Sequence, residues 1–176
     1  MSAPGQTSRL LVSVSSLAEA EMVMQAGVDI LDLKNPHAGA LGALELSDIR
    51  SIVNATDGRK LVSATIGDVP MQPACIVDRV DDTLSTGVDI VKIGFTDAAE
   101  RDACIVALGD IARRGARLVA VLFADAGYDL SVLSMLKTAG FYGVMIDTAV
   151  KDGRHLMDHM TLAELRDFVQ TARELG

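Results

Sequence analysis

Gly27-Val28-Asp29-Ile30-Leu31-Asp32-Leu33-Lys34 and Gly87-Val88-Asp89-Ile90-Val91-Lys92-Ile93-Gly94 are two copies of one pattern, 60 residues apart. Each opens on a glycine that follows an amphipathic stretch and continues as an apolar run of β type. Glycines at 27, 58, 87, 115 and 140 all hold this place, at intervals of 31, 29, 28 and 25 residues. A glycine there is the left-handed residue that ends a helix before a strand. The strand-like runs are Leu10–Val14, Val28–Leu33, Leu61–Thr65, Val88–Ile93, Arg117–Phe123 and Tyr142–Asp147. Near-continuous apolar strands that alternate with helices imply a parallel sheet buried on both faces.

Helices are expected between the strands, over Leu17–Gln25, Leu46–Thr56, Gln72–Ser85, Ala98–Arg113, Leu130–Thr138 and Leu162–Glu174. The last is capped by Thr161, with Glu164 three residues on. Residues 1–176 thus read as a single α/β domain of six βα units, with no linker and no inserted domain. An open doubly wound sheet would carry a glycine-rich phosphate loop after the first strand, where this chain has Val14-Ser15-Ser16-Leu17. The uniform repeat and the polar residues at successive strand ends favour a TIM-type (β/α)8 barrel. Eight units at this spacing need roughly 225 residues or more, so an incomplete barrel is expected. The chain is then a fragment, a shortened natural form, or one that completes itself by association, and a homo-oligomer is expected.

Hydrophobic residues make up 49% of the chain and charged residues 23%, enough apolar material for one real core. A net charge of −8 without a basic block argues against nucleic acid and against an anionic membrane surface. The longest strongly apolar run, Leu118 to Ala124, is far too short to span a bilayer, and Met1 to Ser8 has no signal-peptide core. Cys75 and Cys104 have no metal-ligand spacing and read as reduced thiols of a cytoplasmic protein.

The chain holds 5 lysines against 11 arginines, yet Lys34 and Lys92 both end strand-like runs. Unlike arginine, lysine can lose its proton and act as a nucleophile or base. Side chains alternate along a strand, so Asp32 shares a face with Lys34, Ile90 with Lys92 and Gly94, and Met145 with Asp147. Alternate strands supply one layer of a barrel interior, which places Asp32, Lys34, Lys92 and Asp147 at similar height. Two ammonium groups in a partly desolvated pocket resist charging, which favours a neutral amine able to attack a carbonyl. A neighbouring carboxylate moves protons, and the second lysine stays cationic to hold a phosphate or oxyanion. One lysine at a strand end is ordinarily a snorkelling surface residue; two on alternate strands, each within reach of a carboxylate, argue for Schiff-base chemistry on a small phosphorylated aldehyde or ketone.

Weaker signals surround this group. Asn35 to Gly42 is a glycine-bearing loop before a helix, suited to cradle an anion or to act as a lid, or else an ordinary connection. Thr65 and Asp125 end the third and fifth strands, and Asn35, Thr65, Gly94 and Asp125 are expected to contact substrate. Lys151 lies four residues beyond the sixth strand and reads either as a substrate contact or as a solvated charge. His155 and His159 have a two-histidine spacing in what reads as a loop, with no third ligand in view, so no metal is expected.

Taken together, these residues resemble the (5-formylfuran-3-yl)methyl phosphate synthase family. The likeness is carried by Leu11-Val-Ser-Val, the Gly27 to Pro36 segment with Asp32, Lys34 and Asn35, Gly39-x-Leu-Gly42-Ala, Ser63-Ala-Thr-Ile-Gly-Asp68, Val91-Lys92-Ile-Gly94, Leu122-Phe-Ala-Asp125 and Asp147-Thr-Ala-x-Lys151-Asp-Gly. The resemblance covers nearly the whole chain. It implies a TIM barrel that condenses two molecules of glyceraldehyde 3-phosphate into a furan aldehyde phosphate for methanofuran or methylofuran biosynthesis, without metal or organic cofactor. It further implies Lys34 as the Schiff-base lysine, Lys92 as a second active-site lysine, Asp32 and Asp147 as acid/base carboxylates and Lys151 as a substrate contact. The family pattern continues through a seventh and eighth strand beyond Gly176. A class I aldolase of triose phosphates and an inactive barrel acting as scaffold or partner subunit are the rival readings.

Overall fold

The computed structural model describes residues 9–96, 99–150 and 152–176. Six strands form one all-parallel sheet in sequence order: β1 (Leu11–Val14), β2 (Ile30–Leu33), β3 (Leu61–Thr65), β4 (Ile90–Phe95), β5 (Arg117–Phe123) and β6 (Gly143–Asp147). Between and after them run α1 (Leu17–Gln25), α2 (Leu46–Thr56), α3 (Pro73–Leu84), α4 (Arg101–Arg113), α5 (Ser131–Ala139), α6 (Leu156–His159) and α7 (Leu162–Leu175). The expected strand–helix alternation is present throughout. One expectation is corrected: the segment from His155 to His159 is not a plain loop. Its last four residues form the single turn α6, because His155 accepts from the Asp158 backbone while the Asp158 carboxylate accepts from His155 N–H at 2.6 Å.

Why each unit repeats is visible at its start. All five spacing glycines have positive φ, from 66° at Gly58 to 98° at Gly115. At Gly140, with φ of 90°, the chain leaves α5 and Phe141 N–H donates back to Leu136 O at 3.0 Å. The aspartate two residues after Gly27 and Gly87 has its own task. Asp29 Oδ2 accepts from Leu10 N–H at 2.7 Å, and Asp89 Oδ2 accepts from Val62 N–H at 2.8 Å. The same two aspartates donate their own N–H groups to Leu10 O and Val62 O, at 3.0 and 2.9 Å. Each Gly-Val-Asp therefore clamps the entry of the neighbouring strand and fixes its register.

Strand parity separates two faces. Leu31, Leu33, Val62, Ala64, Val91, Ile93, Leu118, Ala120 and Leu122 face the helices and are buried with Ile49, Ile52, Ile76, Val80, Ile105 and Leu108 in the main core. A second, smaller cluster of Leu41, Val121 and Phe123 lies on the opposite face. There the sheet curls enough for Lys92 on β4 to reach Asp32 on β2 across β3. The result is a half-barrel with polar residues along its concave floor. Helices pack side by side outside it, α3 and α5 on either flank of α4, and α7 against α5. An edge-to-face contact of Tyr128 and Phe168, centroids 5.9 Å apart, ties α7 to the loop before α5. Among the described residues no strand pairs with the outer edge of β1 or of β6. No helix of the described residues is long and apolar enough to cross a membrane.

Candidate active site

The floor of the half-barrel is a row of register partners: Ser13 on β1, Asp32 on β2 and Ser63 on β3. Asp32 is 1% exposed and Lys92 5%, and their charges meet at 2.7 Å between Oδ2 and Nζ. Oδ2 also accepts from Ser13 Oγ at 3.0 Å, and Oδ1 accepts from Ser63 Oγ at 2.7 Å. A buried carboxylate would be costly alone; here three donors surround it. Neither serine stood among the expected site residues. Their signal was present in the parity of β1 and β3, which puts a hydroxyl on the inner face beside Asp32.

Lys34 lies two residues beyond Asp32 on the same face and is half-buried, its N–H continuing the ladder to Val14 O at 3.1 Å. The expected convergence is seen as direct contact for Asp32 and Lys92. Asp147 ends β6 as the register partner of Phe123, and its Oδ1 accepts from Thr148 N–H at 2.8 Å. Lys151 lies outside the described residues.

The other expected contacts turn out to organise loops as well. Thr65 is fully buried and its hydroxyl donates to Gly42 O at 3.1 Å. Asn35 Oδ1 accepts from His37 N–H at 3.0 Å, and its own N–H donates to Gly42 O at 2.8 Å. The loop from Asn35 to Gly42 is thereby fastened over β3, with the Asp68 carboxylate against Gly39, whose φ is 97°. Asp125 accepts from Ala149 and Val150 N–H, both at 2.7 Å, and so holds the chain just before Lys151. Burial pushes the Asp125 carboxyl up, but the N–H groups of Val150, Ala149 and Asp125 itself, with the His159 charge, outweigh it and hold it below the usual range.

Above Lys92 the concave face turns apolar. Leu41 descends from the Asn35–Gly42 loop onto Val121 and Phe123, with Met145 and Ala149 beside them. Gly94 makes room for it. A Cβ at Gly94 would run into Leu41 Cδ1 and stand 3.2 Å from two Phe123 ring carbons. Gly94→Ala is therefore expected to lower stability by about 1–3 kcal/mol through overpacking. Thermal melting reads that loss, and the same Gly94→Ala step is expected to cost less in a Leu41→Ala background, where the methyl group meets less. An unchanged melting temperature for Gly94→Ala would show that Leu41 is not lodged there.

Solved structures with similar folds include 2,3-dimethylmalate lyase, with a TM-score of 0.65 at 16% identity over 93% of this chain and 62% of that one. Dihydrodipicolinate synthase from Agrobacterium tumefaciens gives 0.60 at 14% identity, over 82% of this chain and 56% of that one. At such identities the likeness speaks for the fold alone. Sequence relatives are much nearer. The (5-formylfuran-3-yl)methyl phosphate synthase of Methanococcus maripaludis strain C5 is 35% identical over 178 residues, covering 95% of this chain and 75% of its own length. That of Methanothermobacter thermautotrophicus is 34% identical, with the same coverage of both chains. A relative from Methylorubrum extorquens is 39% identical over 96% of this chain and 69% of its own. The family model described as 4-HFC-P synthase matches residues 10–176, so with its buried Asp32–Lys92 pair below Lys34 this chain belongs to the 4-HFC-P synthase family.

Proposed function

We propose that this chain is a cytoplasmic (5-formylfuran-3-yl)methyl phosphate synthase that works through a Schiff base on Lys34. The observation that carries the reading is the placement of two lysines at different depths on one concave face, Lys34 half-buried and Lys92 5% exposed. Lys92 is committed to an ion pair with Asp32 at 2.7 Å, while Lys34 stands at the end of β2 nearer the mouth. A lysine in such a pair serves as an acid and as a charge for an oxyanion. Lys34, the lysine nearer the mouth, is the amine that attacks an aldehyde.

In this reading the Lys34 amine adds to the aldehyde carbon of one glyceraldehyde 3-phosphate, and water leaves to give the imine. Loss of the neighbouring carbon-bound proton yields an enamine, which forms a carbon–carbon bond to the aldehyde of the second molecule. Ring closure and return of the Lys34 amine complete a net loss of one phosphate and two waters, which leaves the aromatic furan. Lys92 and Asp32 exchange protons with the addition and elimination steps from below, and Asp147 does so from the end of β6. Gly94, Asn35 and Thr65 shape the mouth through the loop that carries Leu41. Asp125 holds Ala149 and Val150 at the end of the site, and Lys151 takes a substrate phosphate. The furan product suits biosynthesis of methanofuran or methylofuran.

The test is borohydride reduction in the presence of glyceraldehyde 3-phosphate. The expected result is a stable adduct of one substrate on one lysine, together with a product absorbing in the near ultraviolet in the unreduced reaction. An adduct without that absorbance would assign the chain to aldolase chemistry on triose phosphates. Absence of any adduct would remove the Schiff base.

A further inference from the structure

We propose that Leu41 is a specificity-determining residue: its side chain is the wall that limits the length of an aldehyde carried on Lys34. The inference rests on the Schiff-base reading of Lys34. Register sets the height of that wall. Leu33 pairs with Ala64, so Lys34 stands level with Thr65, and Thr65 pairs with Lys92. Two residues further along each strand, the next inward row is Gly94, Val121 and Met145. One row higher again, Phe123 pairs with Asp147. Leu41 comes down on the middle row. A Cβ on Gly94 would run into its Cδ1, and it packs with Val121 and Phe123, the three being 2%, 0% and 4% exposed. Its side chain therefore fills the layer directly above the level of both lysines.

The loop holds this wall in place from below. Gly42 O, one residue after Leu41, accepts from Asn35 N–H at 2.8 Å and from the Thr65 hydroxyl at 3.1 Å. Thr65 is fully buried and is the register partner of Lys92, so the wall is anchored to the same row that it covers. Below it the concave face offers hydroxyls and charges from Ser13, Asp32 and Ser63, which suit a short polar aldehyde. A carbon chain that grows from the Lys34 nitrogen towards β4 and β5 meets Leu41 instead. Neighbours packed to interior density do not step aside without loss of contact. A methylene group that a pocket fails to place costs about 10–200-fold in selectivity. Trimming Leu41 opens a notch lined by Val121, Phe123 and Met145, which accepts further methylene groups and offers nothing to further hydroxyls. The wall thus sets the ligand class as a triose-sized aldehyde.

The experiment is reductive alkylation of the whole chain with propanal or pentanal and cyanoborohydride, the adducts being mapped by proteolysis and mass spectrometry. Glyceraldehyde 3-phosphate is run in parallel on the parent. Lys137, exposed on α5 and away from the concave face, supplies the intrinsic reactivity ratio of the two alkyl aldehydes. At Lys34 the parent is expected to prefer propanal over pentanal about tenfold or more beyond that ratio. Leu41→Ala brings the preference down to the Lys137 value, and Leu41→Met, close in volume, keeps it. A role confined to packing would lower the melting temperature without moving a ratio read within one chain. If Leu41→Ala fails to fold, Leu41→Val gives the same reading with a smaller fall in preference. A parent without the extra preference, or a Leu41→Ala chain that retains it, overturns the wall and leaves the Schiff base standing. No adduct of glyceraldehyde 3-phosphate at Lys34 of the parent overturns the Schiff base, and the wall falls with it.

Discussion

Lys34→Ala is expected to leave no borohydride-trapped adduct and to lower turnover on the order of 10⁴-fold, the scale on which loss of a covalent nucleophile is felt. That factor corresponds to about 5.4 kcal/mol of transition-state stabilisation. Lys92 cannot substitute while it is paired with Asp32 at 2.7 Å and 5% exposed. The fold should survive, because Lys34 stands at the end of β2, outside the buried cluster on the helix-facing side. Circular dichroism and melting of the variant check this. Lys137→Ala is the control: Lys137 is exposed on α5, away from the concave face, and its loss should leave trapping intact. Trapping in Lys34→Ala equal to that of the parent would disprove the assignment of the nucleophile.

The second large effect concerns stability as much as activity. Asp32→Ala removes the carboxylate that the buried Lys92 ammonium faces, leaving a charge at 5% exposure without its counter-ion. Breaking a buried pair from one side costs about 3–5 kcal/mol, which for a chain of this size is a fall of roughly 6–20 °C in melting temperature. The combined change Asp32→Leu/Lys92→Met should recover most of that stability, since apolar groups of similar volume replace a buried pair at little cost. It should not recover turnover. The contrast separates two roles of one pair: as a structural element it is replaceable, as a proton-handling element it is not. A single Asp32→Ala variant melting within a degree or two of the parent would mean that Lys92 finds water or another partner easily.

Much of this was readable from spacing. Glycines at 27, 58, 87, 115 and 140 marked the helix ends, and all five have positive φ. Alternation along Leu31-Asp32-Leu33-Lys34 placed the two leucines toward the helices and Asp32 inward, and the buried clusters divide along that parity. It was legible because a strand has only two faces and a parallel sheet leaves no choice of apolar side. Contacts that depend on three or more strands were harder to see. Ser13 and Ser63 are unremarkable in a sequence, and only the ladder register brings both to Asp32. Leu41 read as one apolar residue in a loop, and its descent onto Val121 and Phe123 depends on the absent side chain of Gly94, far away in sequence. The turn at Leu156–His159 was hidden because histidine is an uncommon cap residue and the periodicity there is too short to register.

The two Gly-Val-Asp clamps bear on how the chain acquires this shape. Parallel pairing is slow to form, because each ladder needs a helix-long loop to close before any hydrogen bond repays it. Asp29 bonds a residue 19 positions earlier and Asp89 one 27 positions earlier, each at the first rung of its ladder. A misaligned pair would leave the carboxylate without its N–H, so a slipped strand is penalised at the moment of contact and not only after the core has packed. β1 with β2 and β3 with β4 are thus self-registering blocks, and assembly reduces to joining blocks whose internal alignment is already settled. A sheet made this way can gain or lose whole units at its margin without rewriting the units that remain.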